Sequence, residues 1–426
     1  MRATEQRHAV GPGVGEGRRG FVPAVLTVPG YGRLWRAGLL YYHAYWFEIV
    51  VTGWTVLLLT GSPFAVGLVG FCRTLPMLAL GLVLGALADR VREATLLLAV
   101  QVAGLLAAGT LALLFVLERT GLGPICLLVG LLGCGWACDF SARRALVARF
   151  HGPERVASAL ALETMMMLGG KVAATALGGA LLALGGPRLA YGWLALIYGA
   201  GGLAALAVRR LEPPAGRAPA AAIPIIALVR LGWSTAVRTP VVRAVLLVTV
   251  VMNVLVFPYQ QLMAVIAREI LAVGSARMGV LAGADGLGAL VVAGFLTARS
   301  RPVRQGLLFL AGAAGLGALL LALALSRSFP LSLGVQIAVG AGGAAFGAMQ
   351  SALVLGAVEV ELRARAMGMV AMAIGMAPFG ILLAGAFSAA VGPATTLAGM
   401  ATLALALLAA IVVRNPVLLA APDDGR

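Results

Sequence analysis

The sequence predicts an all-α membrane protein with twelve transmembrane helices in two six-helix pseudo-repeats. Three observations lead to this fold class. Hydrophobic residues make up 61% of the 426-residue chain and charged residues only 11%, and the mean hydropathy is +1.00. Long apolar runs recur along the whole chain, and arginines gather in alternate connections between them. A soluble protein of this size has no interior large enough to hide so much apolar surface.

Twelve apolar segments are long enough to cross a bilayer, which takes about 20 residues. Inside the bilayer their backbone groups have no water to bond, so the segments must be helical. The chain contains 57 glycines, which let neighbouring helices approach closely. The segments, called spans one to twelve below, are residues 34–59, 63–88, 94–117, 122–142, 156–184, 189–208, 241–266, 275–298, 305–326, 329–357, 366–390 and 393–413.

The arginines alternate between the two ends of these spans. If the N-terminus is cytoplasmic, 25 of the 31 arginines belong to cytoplasmic segments and five to the opposite side. This positive-inside bias predicts an even number of spans with both termini in the cytoplasm. The same bias explains the net charge of +16 by the orientation of the protein in the membrane, so no nucleic acid partner is expected. We call the two sides the arginine-rich end and the arginine-poor end; the second carries Arg119, Arg188, Arg268, Arg277 and Arg327.

This topology predicts that two introduced cysteines react from opposite sides of the membrane. One replaces Pro214, in the connection between spans six and seven, and the other replaces Gly121, in the connection between spans three and four. With the four native cysteines removed, an impermeant thiol reagent should label the first only in inverted vesicles and the second only in intact cells. Labelling of both from one side would contradict the twelve-span arrangement.

The chain divides at a segment rich in proline, alanine and arginine that follows span six. The first 30 residues have no apolar stretch, so they are expected to be a tail and not a signal peptide. An amphipathic segment runs from Ile225 to Arg238 within the connection. The predicted organisation is a cytoplasmic basic tail at 1–32, a first six-helix half at 33–209, a cytoplasmic linker at 210–240, a second six-helix half at 241–414 and a cytoplasmic tail at 415–426.

A short motif marks the turn after span two. Residues 85–90 read GALADR, and residues 294–299, after span eight, give a weaker counterpart, GFLTAR. Asp and Arg are costly in hydrocarbon, so Asp89 and Arg90 are expected at the aqueous interface. The recurrence supports two parallel repeats around a central cavity, an architecture found in one large class of transporters.

On this motif the chain resembles the major facilitator superfamily, whose loop reads roughly Gly-x-Leu-Ala-Asp-Arg-x-Gly before two basic residues. Residues 85–90 match it, whereas residues 92–94 depart from it. The stretches 59–63, 139–145, 152–159 and 361–365 resemble a narrower branch that includes siderophore and macrolide exporters. The resemblance implies a cytoplasmic gate in which Asp89 pairs across to basic residues before span eleven. The gate residues so implied are Gly85, Asp89, Arg90, Arg363 and Arg365.

Few ionisable side chains lie deep within the spans. With a rise of about 1.5 Å per residue, Glu48, Arg73 and Lys171 lie roughly 16, 15 and 20 Å from the arginine-poor end. We therefore expect them to cluster in one layer of formal charge +1, either to handle substrate and protons or as a structural ion network. Asp285 is the main candidate in the second half, as a second coupling acid or a satisfied core residue. Glu163 shares a broad face with Lys171 but lies too far from it to pair.

One face of span one is unusually polar. Tyr41, Tyr45, Glu48 and Thr52 follow a 4-3-4 spacing, which places them on the same side of a helix. Such a face is too polar for lipid. It is expected either to line the substrate cavity, together with Glu163, or to pack against a neighbouring polar helix.

The sequence therefore predicts a secondary transporter in the cytoplasmic (inner) membrane and not an enzyme. We expect a monomer, surrounded by membrane lipids, that acts as an antiporter and exports a small amphiphilic or anionic substrate, such as a siderophore, antibiotic or other metabolite, in exchange for protons. No cofactor and no metal site are expected. The alternatives are an uncoupled facilitator or importer, and a non-transporting membrane sensor or assembly protein on the same scaffold.

Overall fold

The computed structural model describes residues 24–88, 91–210, 238–298, 304–359 and 362–420. These residues form helices and short connections, without β-strands. A 3-10 turn, Ala24–Thr27, precedes span one, and a short helix, Val417–Ala420, follows span twelve. The all-α fold class is confirmed.

Spans one to three are separate helices: Tyr31–Thr60, Pro63–Ala88 and Glu93–Val116. Span one ends at Gly61, which adopts a left-handed conformation with φ of 62° and donates its N–H to the Leu57 carbonyl at 2.9 Å. Glycine adopts this conformation at little cost, so a sharp turn is possible here. Pro63 then begins the next helix, where its missing N–H is of no consequence.

Spans four, five and six form one continuously helical stretch, Leu122–Arg209. The predicted connection at 143–155 is helical too, but the chain reverses near it, since His151 and Glu163 both contact Tyr31. A straight helix of 88 residues would be about 132 Å long. However, Trp136 and Tyr198 both lie near Tyr41, with ring centroids 6.4 and 6.5 Å away. The stretch therefore folds back on itself, and Gly186, with φ of 66°, marks the reversal between spans five and six.

Spans eight, nine, ten and twelve are regular helices, whereas span eleven is interrupted at residues 375–376. The predicted single helix at 366–390 was therefore wrong in this detail. Gly375 packs closely against span two there, since an added Cβ would lie 3.0 Å from Leu78 Cδ1. The helices are Ser275–Ala298, Gln305–Leu325, Phe329–Gly356, Pro393–Arg414 and, for span eleven, Arg363–Ile374 and Ala377–Val391.

Span seven is the most irregular of the twelve, and the expectation of one helix at 241–266 was wrong. Pro258 lacks the N–H that an uninterrupted helix requires, so the hydrogen-bonding pattern changes around it. Broken helices and π-turns are often found at functional sites. The sequence of segments is α-helical Pro240–Val251, π-helical Met252–Val256, 3-10 helical Phe257–Gln260, α-helical Met263–Val265 and π-helical Ile266–Ile270.

Nine helices in the described part of the chain are long and apolar enough to cross a membrane. They account for spans three to twelve, because Ser158–Arg209 contains both span five and span six. Spans one and two complete the set. Span one is less apolar because of its Tyr- and Glu-bearing face, and span two is apolar over Pro63–Leu78.

The two halves pack most tightly near the arginine-poor end. Spans five and eight cross where a Cβ added at Gly179 would lie 2.9 Å from Gly279 Cα. Spans two and eleven cross where a Cβ added at Gly67 would lie 2.8 Å from Gly385 Cα. At the same end, Arg268 Nη1 of span seven donates to the Leu57 carbonyl of span one at 3.2 Å. The structure is therefore closed at the arginine-poor end.

Candidate functional site

A buried ion pair joins spans one and two. Arg73 Nε donates to Glu48 Oε2 at 2.6 Å, and both side chains are almost fully buried. Glu48 Oε1 accepts a second hydrogen bond from Thr52 Oγ1 at 2.9 Å, and Thr52 lies 3.0 Å from the Tyr191 hydroxyl of span six. Both carboxylate oxygens of Glu48 therefore have partners.

The polar face of span one continues from this pair towards the arginine-rich end. The Arg73 guanidinium lies 4.3 Å from the centre of the Tyr45 ring, and Tyr45 stacks on Trp136 of span four at 4.1 Å. Tyr41 is buried among Trp136 and Tyr198. The four predicted residues thus share one side of the helix, but they contact spans two, four and six. Of the four residues on this face, Glu48 and Thr52 line a described cavity, which is a small one of about 10 Å³.

A second buried ion pair joins the two halves of the protein. Lys171 Nζ of span five donates to Asp285 Oδ2 of span eight at 2.6 Å, with side chains 8% and 9% exposed. The ammonium group also lies 4.3 Å from the centre of the Trp46 ring. The expected cluster of Lys171 with Glu48 was therefore wrong. With two acids and two bases, the layer is neutral and does not carry the expected formal charge of +1.

The packing of span eight on span five explains this choice of partner. A Cβ added at Gly283 would lie 3.1 Å from Val172 Cα, and one added at Gly286 would lie 3.0 Å from the Leu168 carbonyl oxygen. Because glycine keeps the two backbones this close, Asp285 reaches the Lys171 ammonium. Arg73 forms its ion pair with Glu48 on the other side of span one.

Polar groups without hydrogen-bond partners surround Asp285. Its Oδ1 atom is buried and unpaired, as are the Tyr259 hydroxyl and both amide atoms of Gln336. The Tyr259 hydroxyl faces Asp285 and Gln336 but meets hydrogen-bond geometry with neither. A buried polar group without a partner costs about 1–3 kcal/mol. Such a concentration at one point is typical of a site that is completed by a ligand, protons or water.

Neither Tyr259 nor Gln336 was predicted from the sequence as a site residue. The available signal was Pro258, which predicts a bend. The interrupted helix presents Tyr259 to the interior, where its side chain is 2% exposed. Gln350, by contrast, does join helices, since its Nε2 donates to Thr249 Oγ1 at 2.6 Å.

Four cavities follow one another through the described part of the protein, and we name each after one lining residue. The Glu163 cavity has a volume of about 20 Å³ and shares Met167 with the Tyr259 cavity of about 240 Å³. The Tyr259 cavity shares Trp46, Lys171, Gln260 and Asp285 with the Gln336 cavity of about 30 Å³. The Gln336 cavity shares Ile49, Gly53 and Gln261 with the Glu48 cavity of about 10 Å³.

The Lys171–Asp285 pair therefore forms part of the wall between the Tyr259 cavity and the Gln336 cavity. Glu163 lines the cavity at the arginine-rich end of this series. On span one the larger cavities are lined by Trp46, Ile49 and Val50, and not by the predicted tyrosines. Of the two alternatives for the polar face of span one, packing against neighbouring helices agrees with the contacts of Tyr45 and Thr52.

The predicted cytoplasmic gate is only partly within the described residues. Asp89 and Arg90 lie outside them, and Gly85 lies in the last turns of span two. Arg363 Nε donates to the Leu355 carbonyl at 3.1 Å, and Arg365 is partly buried. The pairing of Asp89 with these arginines stays a prediction.

The fold is similar to that of solved transporters. A POT family transporter in complex with 5-aminolevulinic acid aligns with a TM-score of 0.75 at 12% identity, over 91% of this chain and 96% of that one. The human organic anion transporter MFSD10 aligns with a TM-score of 0.66 at 16% identity, over 92% of this chain and all of that one. A bacterial homologue of the human lysosomal transporter Spinster, in an inward-facing, unoccupied conformation, aligns with a TM-score of 0.66 at 15% identity, over 92% and 96%.

At these identities the likeness shows the fold, and the family is shown by the sequence itself. No curated protein sequence matches the chain. The family model described as transmembrane secretion effector matches residues 22–423, nearly the whole length. The chain thus belongs to this family of the major facilitator superfamily, and it is a membrane transporter and not an enzyme.

Proposed function

We propose that this transporter exports a small amphiphilic anion in exchange for protons, with Asp285 as the coupling acid and Lys171 as the anion-binding group. The single observation that carries the proposal is the 2.6 Å contact between these two side chains across the halves. Buried ionisable groups in a membrane are costly and are commonly part of ion or substrate pathways.

The pair supplies a simple way to exchange a proton for an anion. When Asp285 takes up a proton on an oxygen, its attraction for the Lys171 ammonium falls, and the contact between the halves loosens. When a substrate carboxylate or phosphate binds the ammonium instead, the Asp285 carboxylate loses its partner and the same contact loosens. The halves rearrange only when one of the two has bound, so the anion drives the change in one direction and the proton drives it back, which exchanges one for the other.

Asp285 is better placed for this role than Glu48, the coupling acid expected from the sequence. Glu48 has a partner on each oxygen and borders only the cavity of about 10 Å³. Asp285 has an unpaired oxygen and borders two cavities, one of them about 240 Å³. We assign Glu48 and Arg73 to holding spans one and two together.

The Tyr259 cavity supports an amphiphilic substrate. Phe257, Leu316 and Val339 supply apolar surface, while Lys171 and Tyr259 supply polar groups. Pockets for drug-sized ligands measure about 300–1,000 Å³. A cavity of about 240 Å³ therefore suits a small metabolite or one end of a larger one. Export is supported by the resemblance to siderophore and macrolide exporters. It is also supported by membership of the secretion effector family.

The tight glycine crossings support a state that is closed at the arginine-poor end. With the predicted topology, that end is external, and this state takes substrate from the cytoplasm. We further propose a monomer in the inner membrane, with both termini and the linker in the cytoplasm. Alternation then requires the crossings to part while the arginine-rich end closes.

The coupling role predicts that Asp285→Asn uncouples the protein. Inverted membrane vesicles are energised, and the pH gradient is followed with a fluorescent amine while benzoate or 2-naphthoate is added. We expect wild-type vesicles to lose part of the gradient on addition of either acid but not of benzamide, their neutral analogue. Asp285→Asn should abolish this loss but retain exchange of labelled for unlabelled acid without a gradient.

Glu118→Gln, which removes an exposed acid in the connection after span three, serves as the matched control and should behave as wild type. If Asp285→Asn still dissipates the gradient, Asp285 is not the coupling acid. If wild-type vesicles exchange the acids without any effect on the gradient, the protein is an uncoupled facilitator.

A further inference from the structure

Another buried acid, Glu163 of span five, has no salt-bridge partner among the described residues. It is 5% exposed. One carboxylate oxygen, Oε1, accepts a hydrogen bond from the Tyr31 hydroxyl at 3.1 Å, while Oε2 is buried without any partner. A carboxylate buried for structural reasons alone would be expected to have both oxygens engaged, as Glu48 does.

The nearest basic groups are committed elsewhere. Arg143 donates to Asp139 through Nε at 2.9 Å and Nη2 at 2.6 Å, and through Nη1 to the Leu34 carbonyl at 3.2 Å. The Arg144 guanidinium is exposed and lies 3.8 Å from the centre of the Phe140 ring. The titratable and charged groups that face Glu163 are Tyr31 and Tyr42 of span one and Asp139, Arg143, Arg144 and His151 of span four and its extension.

The unpaired oxygen belongs to a side chain that lines the Glu163 cavity. Its volume of about 20 Å³ is enough for one water molecule, which needs roughly 10–15 Å³. Met167 lines both this cavity and the Tyr259 cavity, and Asp285 lines the Tyr259 cavity. Glu163 therefore lies on the side of Asp285 that faces the arginine-rich end, beside a cavity that shares a wall with the cavity of the coupling acid.

We propose that Glu163 relays protons between the arginine-rich end and Asp285. The inference rests on the proposed function of Asp285. Glu163 Oε2 takes up a proton from water at the arginine-rich end, and Glu163 then passes a proton through water in the two cavities to Asp285. After each transfer Glu163 is a carboxylate again, so the relay itself adds no net charge. Asp285 is 7% exposed and depends on such a path to exchange protons quickly.

The test follows protonation of Asp285 and needs no substrate. Trp46 lies 4.3 Å from the Lys171 ammonium, so its fluorescence should change when Asp285 is protonated and the ammonium moves. Purified full-length protein in liposomes is subjected to a rapid pH jump, and the part of the fluorescence that Trp46→Phe removes is recorded. Glu163→Gln should slow this change about 100-fold, as expected for loss of a positioned proton-transfer group. The final amplitude should equal that of the wild type.

Two controls separate a relay from a structural role. Glutamine keeps an oxygen that accepts the Tyr31 hydrogen bond, and Tyr31→Phe removes that bond but keeps the acid, so Tyr31→Phe should leave the rate unchanged. Azide, a small weak acid that carries protons by diffusion, should restore the rate of Glu163→Gln but not alter that of the wild type.

The outcomes distinguish the relay from the coupling mechanism beneath it. A wild-type rate in Glu163→Gln, a reduced amplitude, or slow kinetics that azide does not restore would each overturn the relay, whether or not Asp285→Asn abolishes the response. A fluorescence response that persists in Asp285→Asn would overturn the proposed coupling acid, and with it the relay.

Discussion

Lys171→Met is expected to abolish coupled transport of aryl carboxylates while the protein still inserts into the membrane. Methionine keeps the length of the side chain and removes the charge. Losing one partner of a buried charged pair costs roughly 2–5 kcal/mol. At about tenfold in affinity per 1.4 kcal/mol, a loss near 3 kcal/mol weakens benzoate binding about 100-fold. The measurement is benzoate exchange in inverted vesicles, corrected for the amount of transporter.

The same substitution leaves Asp285 buried without a cation. Breaking a buried ion pair from one side typically destabilises a protein by about 3–5 kcal/mol, whereas removing both charges costs much less. Lys171→Met with Asp285→Asn should therefore recover the folded yield of the wild type but none of its benzoate transport. Normal transport by Lys171→Met would assign the lysine to packing and leave the preference for anions without support.

The two ion pairs also predict how the Lys171 and Glu48 variants combine. Because the pairs share no partner and lie on different sides of span one, Lys171→Met and Glu48→Gln should have additive effects on thermal stability within about 0.5 kcal/mol. A cluster of the kind expected from the sequence would instead make the double variant no worse than the more severe single one.

The sequence indicated which charged side chains are buried but not their partners. The apolar run around each charge is local, and it suffices to predict burial for Glu48, Arg73 and Lys171. Partners depend on how helices rotate and cross, and these follow from contacts between distant residues. Lys171 meets Asp285 because glycines of span eight allow close contact with span five, 114 positions away. No local pattern around Lys171 contains that information.

Helix bounds, too, depend partly on local sequence and partly on contacts between distant residues. Apolar length alone identifies the spans, as the fold class confirms. It does not reveal that residues 143–155 are helical, since a proline such as Pro153 does not always end a helix. In span seven the hydrogen-bonding pattern does change at a proline, because Pro258 is the second residue of the short 3-10 helix that follows the π-helical segment.

The site residues that the sequence missed are those whose type is common inside membrane helices. Tyr259 and Gln336 resemble the many polar side chains that join helices, and only their unpaired, buried state near Asp285 distinguishes them. The polar face of span one left two alternatives open, because periodicity groups its residues without showing what they contact. The observed contacts lie within one half of the protein, as those of Tyr45 and Glu48 with Arg73 do.

Gly179→Leu is expected to trap the transporter in a state that is open at the arginine-poor end. A Cβ at this position would lie 2.9 Å from Gly279 Cα and closer still to the Ser275 carbonyl oxygen, and backbone atoms cannot move aside as side chains can. Overpacking of this kind costs about 1–3 kcal/mol. If the two states differ by a few kcal/mol, a cost near 2 kcal/mol in one of them changes their ratio roughly 30-fold.

Gly169→Leu is the matched control, because it lies in the same span and an added Cβ there meets nothing within 4 Å. The readout is a cysteine in place of Ala264, which is buried and lines the Gln336 cavity. With the native cysteines removed, an impermeant thiol reagent applied from the arginine-poor side should label this cysteine about 30-fold faster in Gly179→Leu than in Gly169→Leu. Benzoate exchange should be lost only in Gly179→Leu. Equal labelling of the two variants would mean that the crossing of spans five and eight does not close this end, and alternation would then have to depend on the crossing of spans two and eleven.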